Sequence, residues 1–435
     1  MEKRIKDLNN FALPLLTQFV ANYLIRLTDK GIVGRISVPA FNAVNLASST
    51  LYIVAGILGV ITIILNVRGG QKLGEGDREG FDFEFETSIF LSILIGIVLF
   101  GIILISQRWI LSRFYALEGE SLEQGILFFT PMSLYVLLQL LLFAFSTYFK
   151  LHGQTKWILI GSTVSSLINV GLDYLFALGS FGLPKLGIKM VGWSTILALA
   201  INLGSYIYIL RNEMGFCLHR YKAYFSNAMV HLKMSLEIMA QELLDGTLIV
   251  LAVNALIIRL GEVSYAGYLI IMELLGFLFL FKYIYGSAVL SLTSIGRGKA
   301  CKEDLLGYPR SATVITTILY IVAGAGLYLF REQLPAIISN DPAVRQMASD
   351  FLRYFILAYL ISQGSYIYRS ALQAMEEYRF VLYVTAPIDL LTLLLIVILS
   401  YKGYSLAGVA VAQFVGEVLM FMSYHRKYIG SVRSI

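Results

Sequence analysis

Several ionisable residues stand inside apolar stretches of this sequence, where each costs roughly 2.5–3.5 kcal/mol on membrane-insertion scales. A residue retained at that cost marks a wet cavity, a partner or an ion path. In the first half of the chain these residues are Asp29 and Asp173. Asn169 precedes Asp173 by four positions, so amide and carboxyl share one helix face, and Thr195 lies early in the next apolar run. Two carboxylates, an amide and a hydroxyl at one depth make a candidate site for a small cation. Paired carboxylates in a low dielectric take up and release a proton near neutral pH, and the same oxygens suit dehydrated Na⁺. The spacing leaves both ions open. Arg26, three residues before Asp29, offers a structural ion pair as the alternative reading.

In the second half, Glu242 and Asp245 are three apart and share a face, and Glu237 lies nearer the inner edge. Glu273 and Lys282 are nine apart, too far along one helix to be partners. Asp389 follows Pro387 by two. Together with Arg26 and Gln363, the residues Glu242, Asp245, Glu273, Lys282 and Asp389 are candidates for the lining of a substrate cavity. Such acids attract organic cations, and Tyr366 and Tyr368 suit flat aromatic ligands. The alternative is internal pairing with Lys282, Gln241 or Gln363. His152 and His231 fall at the inner membrane edges and read as interfacial. There is no metal-ligand spacing, no Ser/His/Asp arrangement and no glycine-flanked nucleophile. The glycine-rich stretches 69–77 and 296–300 lack the P-loop pattern and read as helix-to-helix turns. Neither an enzyme nor a cofactor is expected, and nothing suggests nucleotide-driven transport.

The elements that must position these residues follow from composition. The chain has 435 residues, 57 % apolar and 14 % charged, with a mean hydropathy of +0.74. A soluble domain is about 45–50 % apolar and about a quarter charged, so a water-soluble enzyme of ordinary composition is excluded. Twelve apolar runs cover 10–30, 40–66, 87–106, 126–149, 157–179, 190–210, 232–257, 264–291, 311–330, 349–372, 379–400 and 404–424. Each is long enough to cross a hydrocarbon core of about 30 Å as a helix. The first follows Lys3, Arg4 and Lys6 but has no small-residue cleavage site, so it reads as an uncleaved first helix. Basic residues of the short connections are about twice as frequent on one side, which places both termini in the cytosol. Cys217 and Cys301 then face the cytosol as reduced thiols. The net charge of +6 resides in loops and suits anionic lipid headgroups better than nucleic acid.

Residues 211–231 form the longest connection between two runs on that side. They divide the chain into an N-terminal lobe (1–210) and a C-terminal lobe (232–435) of six helices each. Leu186-Gly187-Ile188 to Thr195 and Tyr404-Ser405-Leu406-Ala407-Gly408 open the sixth and twelfth runs with the same small-residue rhythm, and Asp173 and Asp389 lie upstream. The fold class expected is all-α: a polytopic membrane protein whose twelve helices form two lobes about a pseudo-twofold axis normal to the membrane. Binding sites in such repeats lie near the midplane.

The residues resemble a family at this point. Leu13-Pro14-Leu15 followed by Leu27-Thr28-Asp29-Lys30-Gly31 looks like the first-helix signature of the multidrug and toxic compound extrusion (MATE) transporters. Gly74-Glu75-Gly76-Asp77, His152-Gly153-Gln154-Thr155-Lys156 and Asn169-Val170-Gly171-Leu172-Asp173 match its turns after helices two and four and its fifth helix. The resemblance implies an exporter that opens alternately to each side and exchanges small-molecule substrates for H⁺ or Na⁺. It assigns the cation site to Asp29, Asn169, Asp173 and Thr195. Arg26, Met190, Lys189 and Lys282 depart from the pattern. The absence of a deep acid in the tenth run favours a proton-linked, DinF-like branch over a NorM-like one. The alternative is a flippase or exporter of a lipid-linked or anionic metabolite from the same superfamily. A monomer in the cell membrane is expected, with lipids as its surroundings.

Overall fold

The computed structural model describes residues 2–213 and 220–434; the side chains of 22–30, 38 and 39 lie outside the described residues. Arg26 and Asp29 are among these, and so is Cys217. Every regular element among the described residues is helical. In chain order the helices are α1 (Glu2–Gly34), α2 (Val38–Gly59), α3 (Ile61–Glu75), α4 (Arg78–Trp109), α5 (Gly119–Met132), α6 (Tyr135–Leu151), α7 (Thr155–Leu172), α8 (Ile188–Leu210) and α9 (Tyr221–Leu243). There follow α10 (Val250–Ile257), α11 (Glu262–Gly298), α12 (Lys302–Leu329), α13 (Leu334–Ile338), α14 (Pro342–Ala358), α15 (Ser362–Ala374), α16 (Tyr378–Tyr401) and α17 (Ser405–Arg433).

Among the described residues, ten helical stretches are long and apolar enough to cross a membrane. Several are built from two helices joined without a loop, such as α2 with α3 and α5 with α6. Pro131 marks the joint of the latter pair, as expected of a residue that cannot donate to the helix ladder. The run expected at 10–30 lies in α1. The tenth run, 349–372, is interrupted: α14 ends at Ala358 and α15 restarts at Ser362. Large apolar side chains point outward, as Ile97, Val98, Ile102 and Ile105 do on α4. In water this would be a liability; against acyl chains it is the stable arrangement.

The chain forms two compact units. One comprises Leu13–Gly69 and Asp77–Ser235, and is called here the N-terminal unit. Its core includes Leu111, Phe128, Phe129, Val136 and Val191. Gly192 on α8 lets that helix lie against α5, since a Cβ there would come within 2.6 Å of Pro131 and 2.8 Å of the Phe128 carbonyl. The other, called the C-terminal unit, comprises Met1–Ala12, Gly70–Gly76 and Leu236–Ile435. Its core includes Ile271, Leu275, Leu278, Phe355 and Val409. In this unit Arg4 bonds Asp304 at 3.1 Å and Tyr285 donates to Asn9 at 2.7 Å.

Two sequence expectations are corrected. The glycines of 69–77 are not a turn for most of their length: α3 runs to Glu75, and only Gly76 takes the left-handed backbone, at φ 77°. Gly74 is a contact point instead, because a Cβ there would stand 2.2 Å from the Ile295 carbonyl. His231 is not interfacial. It is fully buried, with Nε2 2.5 Å from Glu84 Oε2, and Glu84 also accepts from Arg68 at 2.7 Å and Asn227 at 3.1 Å. Hydropathy alone places His231 at a membrane edge; long-range pairing with a buried carboxylate decides its burial.

Candidate functional site

In the N-terminal unit, α7 carries Asn169 and passes directly into a π-helical turn, Asp173–Ala177. The wider turn shifts the helix face by one residue, a feature common at functional sites. It sets the Asp173 carboxyl against α8, where it is wholly buried. Ser194 donates to Asp173 Oδ1. Asn169 Nδ2 donates to Ser194 Oγ at 3.1 Å and to Thr195 Oγ1 at 3.3 Å. Ser194 Oγ also lies 2.9 Å from the Val191 carbonyl, so its single proton has two acceptors to choose between. Ser165 ties α7 to α8 through the Ala198 carbonyl at 2.8 Å. Asn169, Asp173 and Thr195 are therefore brought together, and Ser194 joins them. Sequence reasoning passed over Ser194, although it adjoins Thr195 on the first turns of the same helix. Asp29 and Arg26 lie outside the described residues.

The C-terminal unit holds a second polar cluster. A π-helical turn, Leu244–Ile249, follows α9 and carries Asp245. Arg369 on α15 donates to Glu242 Oε1 at 2.5 Å and to Asp245 Oδ2 at 3.1 Å. The Asp389 carboxyl, on α16, lies within electrostatic range of Asp245. The ring of Tyr366 lies 5.6 Å from the guanidinium centre. Glu417 on α17 accepts from Ser365, on the same half-helix as Arg369. Glu242, Asp245 and Asp389 are thus gathered around a base that the sequence reading did not select. Arg369 lies within the apolar run 349–372, and its position near Gln363 and Tyr366 was the available signal.

The remaining candidates are placed differently. Lys282 is buried and donates to Ser362 at 3.0 Å, with its ammonium 4.2 Å from the Phe279 ring centre. It faces the interruption of the tenth run and is within electrostatic range of Glu417 and Arg369. Gln363 is fully buried, and its amide finds no hydrogen-bond partner among the described residues. Glu273 is exposed on α11 and makes no ion pair among the described residues, so it stands apart from the cluster. Glu237 pairs with Arg379 at 2.6 Å. No group of three or more His, Cys, Asp or Glu side chains fit to hold a metal occurs among the described residues.

Comparisons with known proteins agree with this architecture. A family model described as MatE matches residues 14–175 and 242–401. A probable multidrug resistance protein NorM of Thermotoga maritima is 25 % identical over 348 residues, covering 79 % of this chain and 74 % of its own length. The multidrug resistance protein PmpM of Pseudomonas aeruginosa is 24 % identical, covering 81 % of this chain and 75 % of its own. A solved structure of MATE in the bent conformation superposes with a TM-score of 0.85 at 16 % identity, over 99 % of this chain and 97 % of that one. A MOP superfamily transporter from Pyrococcus furiosus, described as having a binding pocket of reverse polarity, gives 0.83 at 15 % identity, over 98 % and 96 %. With the MatE match spanning most of both units, this all-helical, multi-pass membrane protein belongs to the MatE family of multidrug and toxic compound extrusion transporters.

Proposed function

We propose that the chain is a secondary antiporter that exports organic compounds, mostly cationic or amphipathic, against an inward flow of H⁺ or Na⁺ by alternating access. Family membership and the names of its relatives support export of drug-like small molecules. The observation that carries the coupling half of the proposal is the buried Asp173 carboxyl, met by Ser194 and, through it, by Asn169, whose amide also donates to Thr195.

The geometry provides a way to register loading. With Asp173 ionised, Ser194 donates to it. When a proton or Na⁺ arrives at the carboxyl, that bond is no longer needed, and Ser194 turns to the Val191 carbonyl. Asn169 then follows, because its amide donates both to that hydroxyl and to the Thr195 hydroxyl. Loading therefore changes how the end of α7 is held against α8. Coupling requires only that cation and drug favour different states of the carrier. Asp29 completes the proposed site as a second carboxylate. The protein resides in the cell membrane with both termini in the cytosol and works as a monomer, in lobes 1–210 and 232–435 joined by 211–231.

The test is efflux of ethidium or norfloxacin from vesicles under an imposed pH gradient and, separately, an imposed Na⁺ gradient. One of the two gradients is expected to drive export, and Asp173→Asn to stop it. If neither gradient drives export, the antiport reading fails. Unchanged export by Asp173→Asn removes the site.

A further inference from the structure

In the C-terminal unit the guanidinium of Arg369 sits in a bay of acidic and aromatic side chains. Its partners are two carboxylates, Glu242 at 2.5 Å and Asp245 at 3.1 Å, and the face of Tyr366 at 5.6 Å. Carboxylates beside an aromatic face are what recognises an organic ammonium or phosphonium ion. A third carboxyl, Asp389, is buried, lies within electrostatic range of Asp245, and has one oxygen with no hydrogen-bond donor among the described residues. The bay is therefore more acidic than its one guanidinium offsets. The Glu242 side chain is 40 % exposed, whereas that of Arg369 is 14 % exposed. Arg369 stands on a half-helix that begins afresh at Ser362, inside what sequence reads as one span.

We propose that Arg369 is a tethered counter-cation: it occupies the Glu242–Asp245–Tyr366 bay and competes there with cationic substrates, which sets the specificity of the C-terminal unit. The idea rests on the drug-export reading for the identity of its ligands, but not on ion coupling. A cation of higher affinity displaces the guanidinium. A compound with a carboxylate beside its amine pairs with Arg369 in place and leaves the tether intact. Arginine suits this task because its planar fork spans two carboxylates and never loses its charge.

The experiment measures equilibrium binding of tetraphenylphosphonium to the purified full chain in lipid nanodiscs, with no gradient present. Failure of antiport thus leaves the measurement unaffected, and failure here leaves gradient-driven export unaffected. Arg369→Gln is expected to bind tetraphenylphosphonium about tenfold more tightly than the unaltered chain, the scale of a charge-assisted hydrogen bond removed from competition. Guanidinium ion in the buffer then competes with tetraphenylphosphonium in Arg369→Gln and not in the unaltered chain. Adding Glu242→Gln to Arg369→Gln returns the affinity toward its starting value. Equal or weaker binding by Arg369→Gln overturns the proposal, as does a lack of guanidinium competition. Should Arg369→Gln not survive purification, Arg369→Lys decides: it keeps the charge but loses the fork, so tighter binding supports the tether and unchanged binding overturns it.

Discussion

The two polar clusters solve the burial of acid in opposite ways. Each carries an aspartate on a π-helical turn, Asp173 in the N-terminal unit and Asp245 in the C-terminal unit. Among its described contacts the Asp173 carboxyl meets a neutral donor, Ser194, with Asn169 behind it. Around Asp245 it gathers two more carboxyls and a guanidinium. A carboxyl held by neutral donors can change its charge by taking up a mobile cation. One held by a tethered guanidinium already has its cation. The contrast teaches that similar helix irregularities can carry differently charged surroundings, which is why we propose loading and release for the first cluster and discrimination for the second.

The largest effect that could break this contrast is on stability. Arg369→Ala leaves the half-buried Glu242 and Asp245 without their base and should cost about 2–3 kcal/mol. Thermal unfolding in detergent reads this as a fall in Tm. Asp173→Asn keeps the shape and an acceptor for Ser194, so its cost should stay within about 1 kcal/mol while gradient-driven efflux is lost. If the two substitutions cost alike, the distinction between neutral and charged packing fails. Next in size is Gly192→Leu, which drives a side chain into Pro131 and should cost about 1–3 kcal/mol through overpacking, with loss of efflux because α8 moves. Ser194→Ala should cost about 1 kcal/mol and leave efflux weakened, since Asn169 can still reach Thr195. Efflux unaffected by Ser194→Ala would remove the hydroxyl as relay. The smallest effect is expected from Glu273→Gln, within about 0.5 kcal/mol and without change in drug binding, because the exposed Glu273 belongs to neither cluster.

Much of this molecule was legible before any coordinates. Asn169 and Asp173 share a face because four residues make about one helical turn, and the structure brings both to α8, Asp173 to Ser194 and Asn169 to Ser194 and Thr195. Glu242 and Asp245 were read as one acidic face, and they do share a base. What was not legible is the identity of that base. Lys282 was the basic residue weighed as a partner for the acids; yet it bonds Ser362, and Arg369 takes the acids instead. His231 was misplaced for the same reason, since its partner Glu84 lies 147 residues earlier.

The sequence by itself determined an all-helical membrane protein, because a long apolar run in lipid can satisfy its peptide groups only within its own helix. It also determined which polar residues neighbour each other within a turn. Only the tertiary structure decided which acid meets which base. Arg369 reaches partners 127 and 124 positions away, and such pairings depend on helix crossings, on the restart of the tenth run at Ser362 and on π-helical turns that rotate a face by one residue. No local periodicity encodes those, so the same residues on the same helices acquire their chemistry from packing.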